Sequence, residues 1–167
     1  MLKAAQLYQS ELYQKSLETW YDPRYIYWSA DVCNLAINPV MDDNGNFYFF
    51  ACVNKDNEVI GYIQYAVNWN TMSAMNLGIM SFDIGNIEFI KDVYEAVENI
   101  FIKYHLNRLT FYSVADNPVI KGYRKLIEKY GGRECGYYRQ SVRLQDGKIH
   151  DEVLFEILAE EYFSQKL

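Results

Sequence analysis

MSAMNLGIMSFDIGNIEFIKDVYEAVENIFIKYHLNRLTFYSV, running from Met72 to Val114, is the stretch that decides how this chain folds. Met72–Phe82 is apolar and bounded by polar turn residues, the pattern of a strand. Ile90, Val93, Tyr94, Val97, Ile100, Phe101 and Tyr104 then recur at spacings of three and four, which puts them on one face of a helix laid against a sheet. Asn86 is placed to cap that helix, with Glu88 and Asp92 in the favourable first turn. Arg108–Val114 is a second strand. A strand, helix and strand joined in one sheet require a crossover, so the two strands are expected as parallel neighbours. The helix N-terminus at the end of the first strand is where anionic ligands dock in such units.

Before this unit, Phe47–Asn54 and Glu58–Asn68 read as two further strands. Lys55-Asp56-Asn57 and Asn68–Thr71 supply the turns, and the three strands form an antiparallel meander. After the unit, Asn117-Pro118 opens a second helix, with a capping residue followed by proline at the first helical position. Its stripe is Val119, Ile120, Tyr123, Leu126, Ile127 and Tyr130, and Gly131-Gly132 stops it. Tyr137–Leu144, an Asp146-Gly147 turn and Lys148–Leu158 read as a closing pair of strands. The first third is less legible. Gln6–Trp20 carries a loose helical stripe, Tyr25–Met41 is irregular and ring-rich, and Asp42-Asp43-Asn44-Gly45-Asn46 is a turn without the spacing of a calcium loop. The order implies a mixed α+β sheet in one domain, residues 1–167.

The 167 residues are half apolar, which suits a single core. No run of 18 apolar residues suggests a membrane span, and the opening MLKAAQLYQSELYQ lacks the apolar stretch of a secretion signal, so a cytoplasmic protein is expected. Cys33, Cys52 and Cys135 are an odd number with no CxxC pair, against a disulfide framework or zinc ribbon. A net charge of −6 offers no field for nucleic acid. Sixteen tyrosines, nine phenylalanines and three tryptophans suggest either a ring-lined groove or partner surface, or a tyrosine-rich core. Neither GxSxG, HExxH nor a phosphate-loop sequence is present, and the two histidines, His105 and His150, cannot make a metal site.

NIFIKYHLNRLTF (99–111), ADNPVIKGYRKLIEKYGG (115–132) and GYYRQSVRLQDGKIHDEVLFEIL (136–158) together resemble the GNAT superfamily of acetyl-CoA-dependent N-acetyltransferases, over about Phe47 to Glu161. The last of them looks like the closing hairpin of the branch that modifies ribosomal-protein N-termini and small amines. The chain is also similar to GNAT-like proteins carried by phages and prophages. The resemblance implies a twisted mixed sheet of six to seven strands flanked by helices, with the parallel fourth and fifth strands splayed apart. It implies acetyl-CoA as co-substrate, with backbone groups of Met80, Ser81 and Phe82 on its pantetheine arm, the loop residues Gly85, Asn86 and Ile87 at its pyrophosphate, and Asn117 and Tyr123 beside it. An amine, small molecule or peptide, attacks the thioester directly. Tyr123 is the candidate acid for the leaving thiolate and Asp83 the candidate base.

Each of these residues also has a structural reading. Tyr123 lies on an apolar stripe, Asn117 can cap its helix, and Asp83 can cap the helix beside it. The segment Trp20–Met41, with Trp20, Tyr21, Tyr25, Tyr27 and Trp28, corresponds by position to the cover of the acceptor site. Its rings and carboxylates would favour an amine, or would simply pack against core or an interface. The sequence departs from the family loop where its two glycines should be. Ile87 and Phe89 stand there, among Asp83, Glu88 and Asp92, and are expected to obstruct a diphosphate. The alternatives to an enzyme are a catalytically inactive module that binds a ligand or protein in the same groove, and a homodimer built on exposed rings.

Overall fold

A computed structural model describes residues 1–28 and 45–166. Within them, seven strands form one sheet: β1 (Leu2–Ala4), β2 (Phe47–Val53), β3 (Val59–Asn68), β4 (Ser73–Ser81), β5 (Arg108–Val114), β6 (Arg133–Arg143) and β7 (Ile149–Leu158). The spatial order is β1-β2-β3-β4-β5-β7-β6, and only β4 and β5 run parallel. The meander and the parallel crossover thus stand as the sequence implied. Four helices accompany the sheet: α1 (Gln9–Thr19), α2 (Ile87–Ile102), α3 (Ile120–Tyr130) and α4 (Ala159–Ser164).

The two faces bury different sets of side chains. Alternation sends Ile63 and Tyr65 of β3, Leu77 of β4, Leu109 and Phe111 of β5 and Phe155 of β7 toward one face. There they meet Val97, Ile100 and Phe101 of α2 and Tyr123, Leu126 and Tyr130 of α3. The opposite face, with Ala51, Val53, Tyr62 and Met80, is covered by Leu12 of α1 and by Trp28 and Tyr25. Among the described residues no helix is long and apolar enough to cross a membrane. Cys52 is buried and Cys135 exposed, both free; Cys33 lies outside the described residues.

Several expectations are corrected. Leu2–Ala4 joins the sheet edge through β2, a strand of three residues in which no alternation can show. Helix α3 starts at Ile120, so Asn117 does not cap it; its side chain instead accepts the Val119 N–H at 3.1 Å and closes a turn around Pro118. In α2, Ile90 is exposed, and Phe89 and Asp92 turn inward in its place. Asp92 is acceptable there because its carboxylate accepts the Met1 ammonium at 2.8 Å. The sequence reading also did not include α4, whose first turn is tied by Glu161 accepting the Leu158 N–H at 2.8 Å. The turn at residues 42–46 is described only from Gly45, whose carbonyl accepts the Trp69 indole N–H at 2.9 Å.

Candidate functional site

Strands β4 and β5 pair only from Ser73–Met75 to Arg108–Thr110. The next residue of β4, Asn76, takes a left-handed backbone with φ 58°, which a short polar side chain tolerates better than most. Beyond it the strands part, and a cavity of 870 Å³ opens between them. Ile79 and Ser81 on one wall, Tyr112 and Ser113 on the other, and Asn117 and Tyr123 past the end of β5 all line it.

Register determines which backbone groups face this cleft. Phe82 donates its N–H to the Ile60 carbonyl at 2.9 Å, and Met80 stands opposite Tyr62 on β3. In an antiparallel ladder the bonding direction alternates, so Phe82 and Met80 spend their backbone groups on β3. The Met80 carbonyl oxygen lies 2.9 Å from where a Cβ on Gly61 of β3 would stand, in agreement. The N–H and C=O groups of Ile79 and Ser81 therefore point into the cleft, where no strand pairs with them. Of the expected trio Met80, Ser81 and Phe82, only Ser81 offers its backbone, and Ile79 takes the second place. Met80 still lines the cleft, while Phe82 packs against the core on the α1 face.

The turn from β4 into α2 is closed by its own side chains. Asn86 Oδ1 accepts the N–H groups of Glu88 at 2.8 Å and Phe89 at 3.1 Å, and Asn86 Nδ2 donates to Asp83 at 2.8 Å. Ser81 donates its hydroxyl to the Asp83 carbonyl at 2.8 Å. Asp83, Gly85, Asn86 and Ile87 are not among the residues lining the cavity. The expected obstruction is only half present. Ile87 is 69 % exposed at the helix start, but Phe89 is 6 % exposed and buried against Gly61. The side chain turns into the core because the missing Cβ of Gly61 leaves room for its ring.

Tyr123 brings its ring edge-on between Phe111 at 5.2 Å and Phe155 at 5.8 Å, and lines the cleft while only 8 % exposed. Burial pushes its hydroxyl well above the ordinary tyrosine value. Its packing and its candidate role as acid coexist. On the α1 face, Tyr25, Tyr27 and Trp28 line the cleft with Phe47 and Phe49, whereas Tyr21 stands in solvent and Trp20 is not part of the lining. The remainder of the segment to Met41 lies outside the described residues. His105 sits beyond the end of α2, and His150 lies between Asp146, 3.1 Å from Nε2, and Asp116, 3.6 Å from Nδ1. No three metal-ligating side chains gather among the described residues.

Ile79, Tyr112, Phe47 and Phe49 line the cleft although the sequence marks them only as strand residues. Each sits in an ordinary strand pattern, so nothing local marks it; the splay opens the cleft beside Ile79 and Tyr112, and Phe47 and Phe49 join its lining from β2. The two open backbone units on β4 suit the amides of an extended chain such as a pantetheine arm. The N-terminus of α2, already occupied by Asn86, suits a diphosphate less well.

No protein-family model matches the chain, and no curated protein matches it. Solved structures do. A GCN5-related N-acetyltransferase from Brucella melitensis aligns over 97 % of this chain and 76 % of its own, at 18 % identity and a TM-score of 0.69. Spermidine/spermine N-acetyltransferase SpeG from Vibrio cholerae aligns over 75 % of this chain and 72 % of its own, at 18 % identity and a TM-score of 0.65. With its splayed parallel pair and the shared course of the backbone, the chain has the GNAT fold.

Proposed function

We propose that this protein is an N-acetyltransferase that passes an acetyl group from acetyl-CoA to an amine. The observation that carries the reading is the cleft itself: two unpaired backbone units, at Ile79 and Ser81, face an aromatic chamber with a buried tyrosine at its side. Acetyl-CoA supplies the activated thioester. The backbone of Ile79 and Ser81 holds its arm in strand fashion, and the side chains of Met80 and Asn117 flank it. Tyr123, which lines the cleft beside these groups, serves as the proton donor to the leaving thiolate. Asp83, the carboxylate nearest the end of β4, braces the turn through Asn86, and Gly85 and Ile87 shape the entrance to the diphosphate. The structural neighbours named for spermidine and for general N-acetyl transfer support an amine as acceptor.

A second reading has one observation in its favour. Asn86 already takes two of the helix N–H groups that would receive phosphate oxygens, as expected of a binding module that has lost the cofactor. Calorimetric titration with acetyl-CoA separates the two. Saturable binding together with a fall in turnover of about 10²- to 10⁴-fold for Tyr123→Phe, at unchanged melting temperature, is the expected result. No heat and no melting shift at millimolar acetyl-CoA would establish the binding module.

A further inference from the structure

The cleft has an exit on the helical side of the sheet. Ile84, in the turn before α2, and Val119, directly before α3, both line it and are both exposed. The cleft therefore opens toward the gap between the first turns of the two helices. The far end of that gap is closed: the Tyr94 and Tyr130 rings meet at 6.1 Å, and Lys129 Nζ stands 3.8 Å from the centre of the Tyr94 ring. Gly122, Lys125 and Lys129 recur at spacings of three and four, so they share the flank of α3 that Lys129 turns toward α2. Ile87, Lys91 and Tyr94 recur in the same way on the facing flank of α2. Arg124, the neighbouring cation, is turned the other way and donates to Glu134 of β6.

Gly122 is the residue that packing does not explain. It lies in the first turn of α3, where glycine weakens a helix, and a Cβ there would meet nothing within 4 Å. What the missing side chain supplies is bare backbone beside the exit, between exposed Lys91 and exposed Lys125. The carboxylates nearest these lysines along their helices are Glu88 and Glu95 for Lys91 and Glu128 for Lys125. None of the three stands within ion-pair distance of its lysine. The start of α2 has no such room, because Asn86 Oδ1 already takes the N–H groups of Glu88 and Phe89. An extended ligand lying along Ile79 and Ser81 leaves the cleft between Ile84 and Val119, and its outer end comes to the lysines. An ammonium on a flexible stem binds phosphate as a point charge and needs no prearranged amides.

We propose that lysine side chains hold the nucleotide end of acetyl-CoA in the gap between α2 and α3, with the diphosphate over Gly122 between Lys91 and Lys125, in place of amides at the start of α2. The ligand's identity rests on the acetyltransferase reading; the phosphate site does not. ADP, which carries the diphosphate and base without the arm, is titrated by calorimetry beside acetyl-CoA, with adenosine as the uncharged control. Lys91→Gln and Lys125→Gln are each expected to weaken ADP and acetyl-CoA about three- to tenfold and to leave adenosine unchanged. Gly122→Leu should weaken both phosphorylated ligands while the melting temperature holds or rises, since leucine is the better helix former. Arg124→Gln removes the same charge from the far side of the same helix and should leave both affinities within about twofold. Acetyl-CoA binding unchanged in both lysine variants, or weakened as much by Arg124→Gln as by Lys125→Gln, would overturn the inference and leave acetyl transfer standing. ADP binding that falls in the lysine variants, with no binding of acetyl-CoA, would support the phosphate site and remove acetyl transfer. Binding of neither ligand would overturn both.

Discussion

Gly61 and Phe89 show how one missing side chain redirects another. A Cβ on Gly61 would stand 2.2 Å from Phe89 Cε2 and 2.9 Å from the Met80 carbonyl oxygen, closer than atoms approach. Phe89 can enter the core from the first turn of α2 only because β3 has no side chain there. Gly61→Ala is therefore expected to destabilise the protein by about 1 to 3 kcal/mol, although alanine is otherwise tolerated in a strand. Phe89→Leu alone loses packing, and combined with Gly61→Ala it should recover part of the loss. Melting curves of the two single variants and the double variant measure that coupling, and strictly additive shifts would contradict the contact. The same geometry revises what Phe89 does to a cofactor. Its ring faces the core and cannot block a diphosphate, so shortening it would cost core stability without opening the entrance; Ile87 is the exposed neighbour that remains in the way.

At the scale of elements, helix α2 and the turn before it compete with any phosphate for the same N–H groups. Asn86 ties up those of Glu88 and Phe89, and Asp83 places a carboxylate on Asn86 at 2.8 Å. A glycine at the cap position keeps the helix within a few tenths of a kcal/mol while releasing both donors. Asn86→Gly is best combined with Asp83→Asn, because the freed carboxylate would otherwise repel the diphosphate. The double variant is expected to bind acetyl-CoA about two- to fivefold more tightly, the strength of a helix terminus acting on a partly solvated anion. Weaker binding, measured by the same titration, would mean that the Asn86 carboxamide itself touches the cofactor. Strand β4 has the complementary property. Its pairing to β5 ends at Met75, and the left-handed Asn76 marks the point of departure, so the open backbone of Ile79 and Ser81 is a feature of how the strands diverge and not of any one side chain.

For the molecule as a whole, the tyrosines that fill both sides of the sheet set its response to alkali. Burial pushes the hydroxyls of Tyr62, Tyr65, Tyr123 and Tyr130 well above their ordinary value. In the unfolded chain the same groups ionise near pH 10, so the folded state holds more protons above that point, and its stability falls as pH rises through and beyond about 10. The melting temperature should be flat from pH 7 to about 9 and then drop steeply; a flat profile to pH 11 would show that these rings reach solvent. How much of this was legible beforehand depends on the range of the forces involved. The strand meander, the crossover, the helix begun at Asn86 and the fold they imply follow from residues near one another in sequence, because periodicity and capping act within a few turns or a single strand. Tyr123 and Asn117 are assigned to the site by the resemblance to the GNAT family, whereas the local pattern by itself gives them only structural roles, a place on the helical stripe and a helix cap. The inward turn of Phe89, the choice of Ile79 over Met80 as an open backbone unit, and the placing of Tyr112 above a buried Glu152 were not legible. Each depends on register and on a side chain many residues away, a glycine on β3, a pairing on β5 or β7, and such pairings exist only once the sheet has closed.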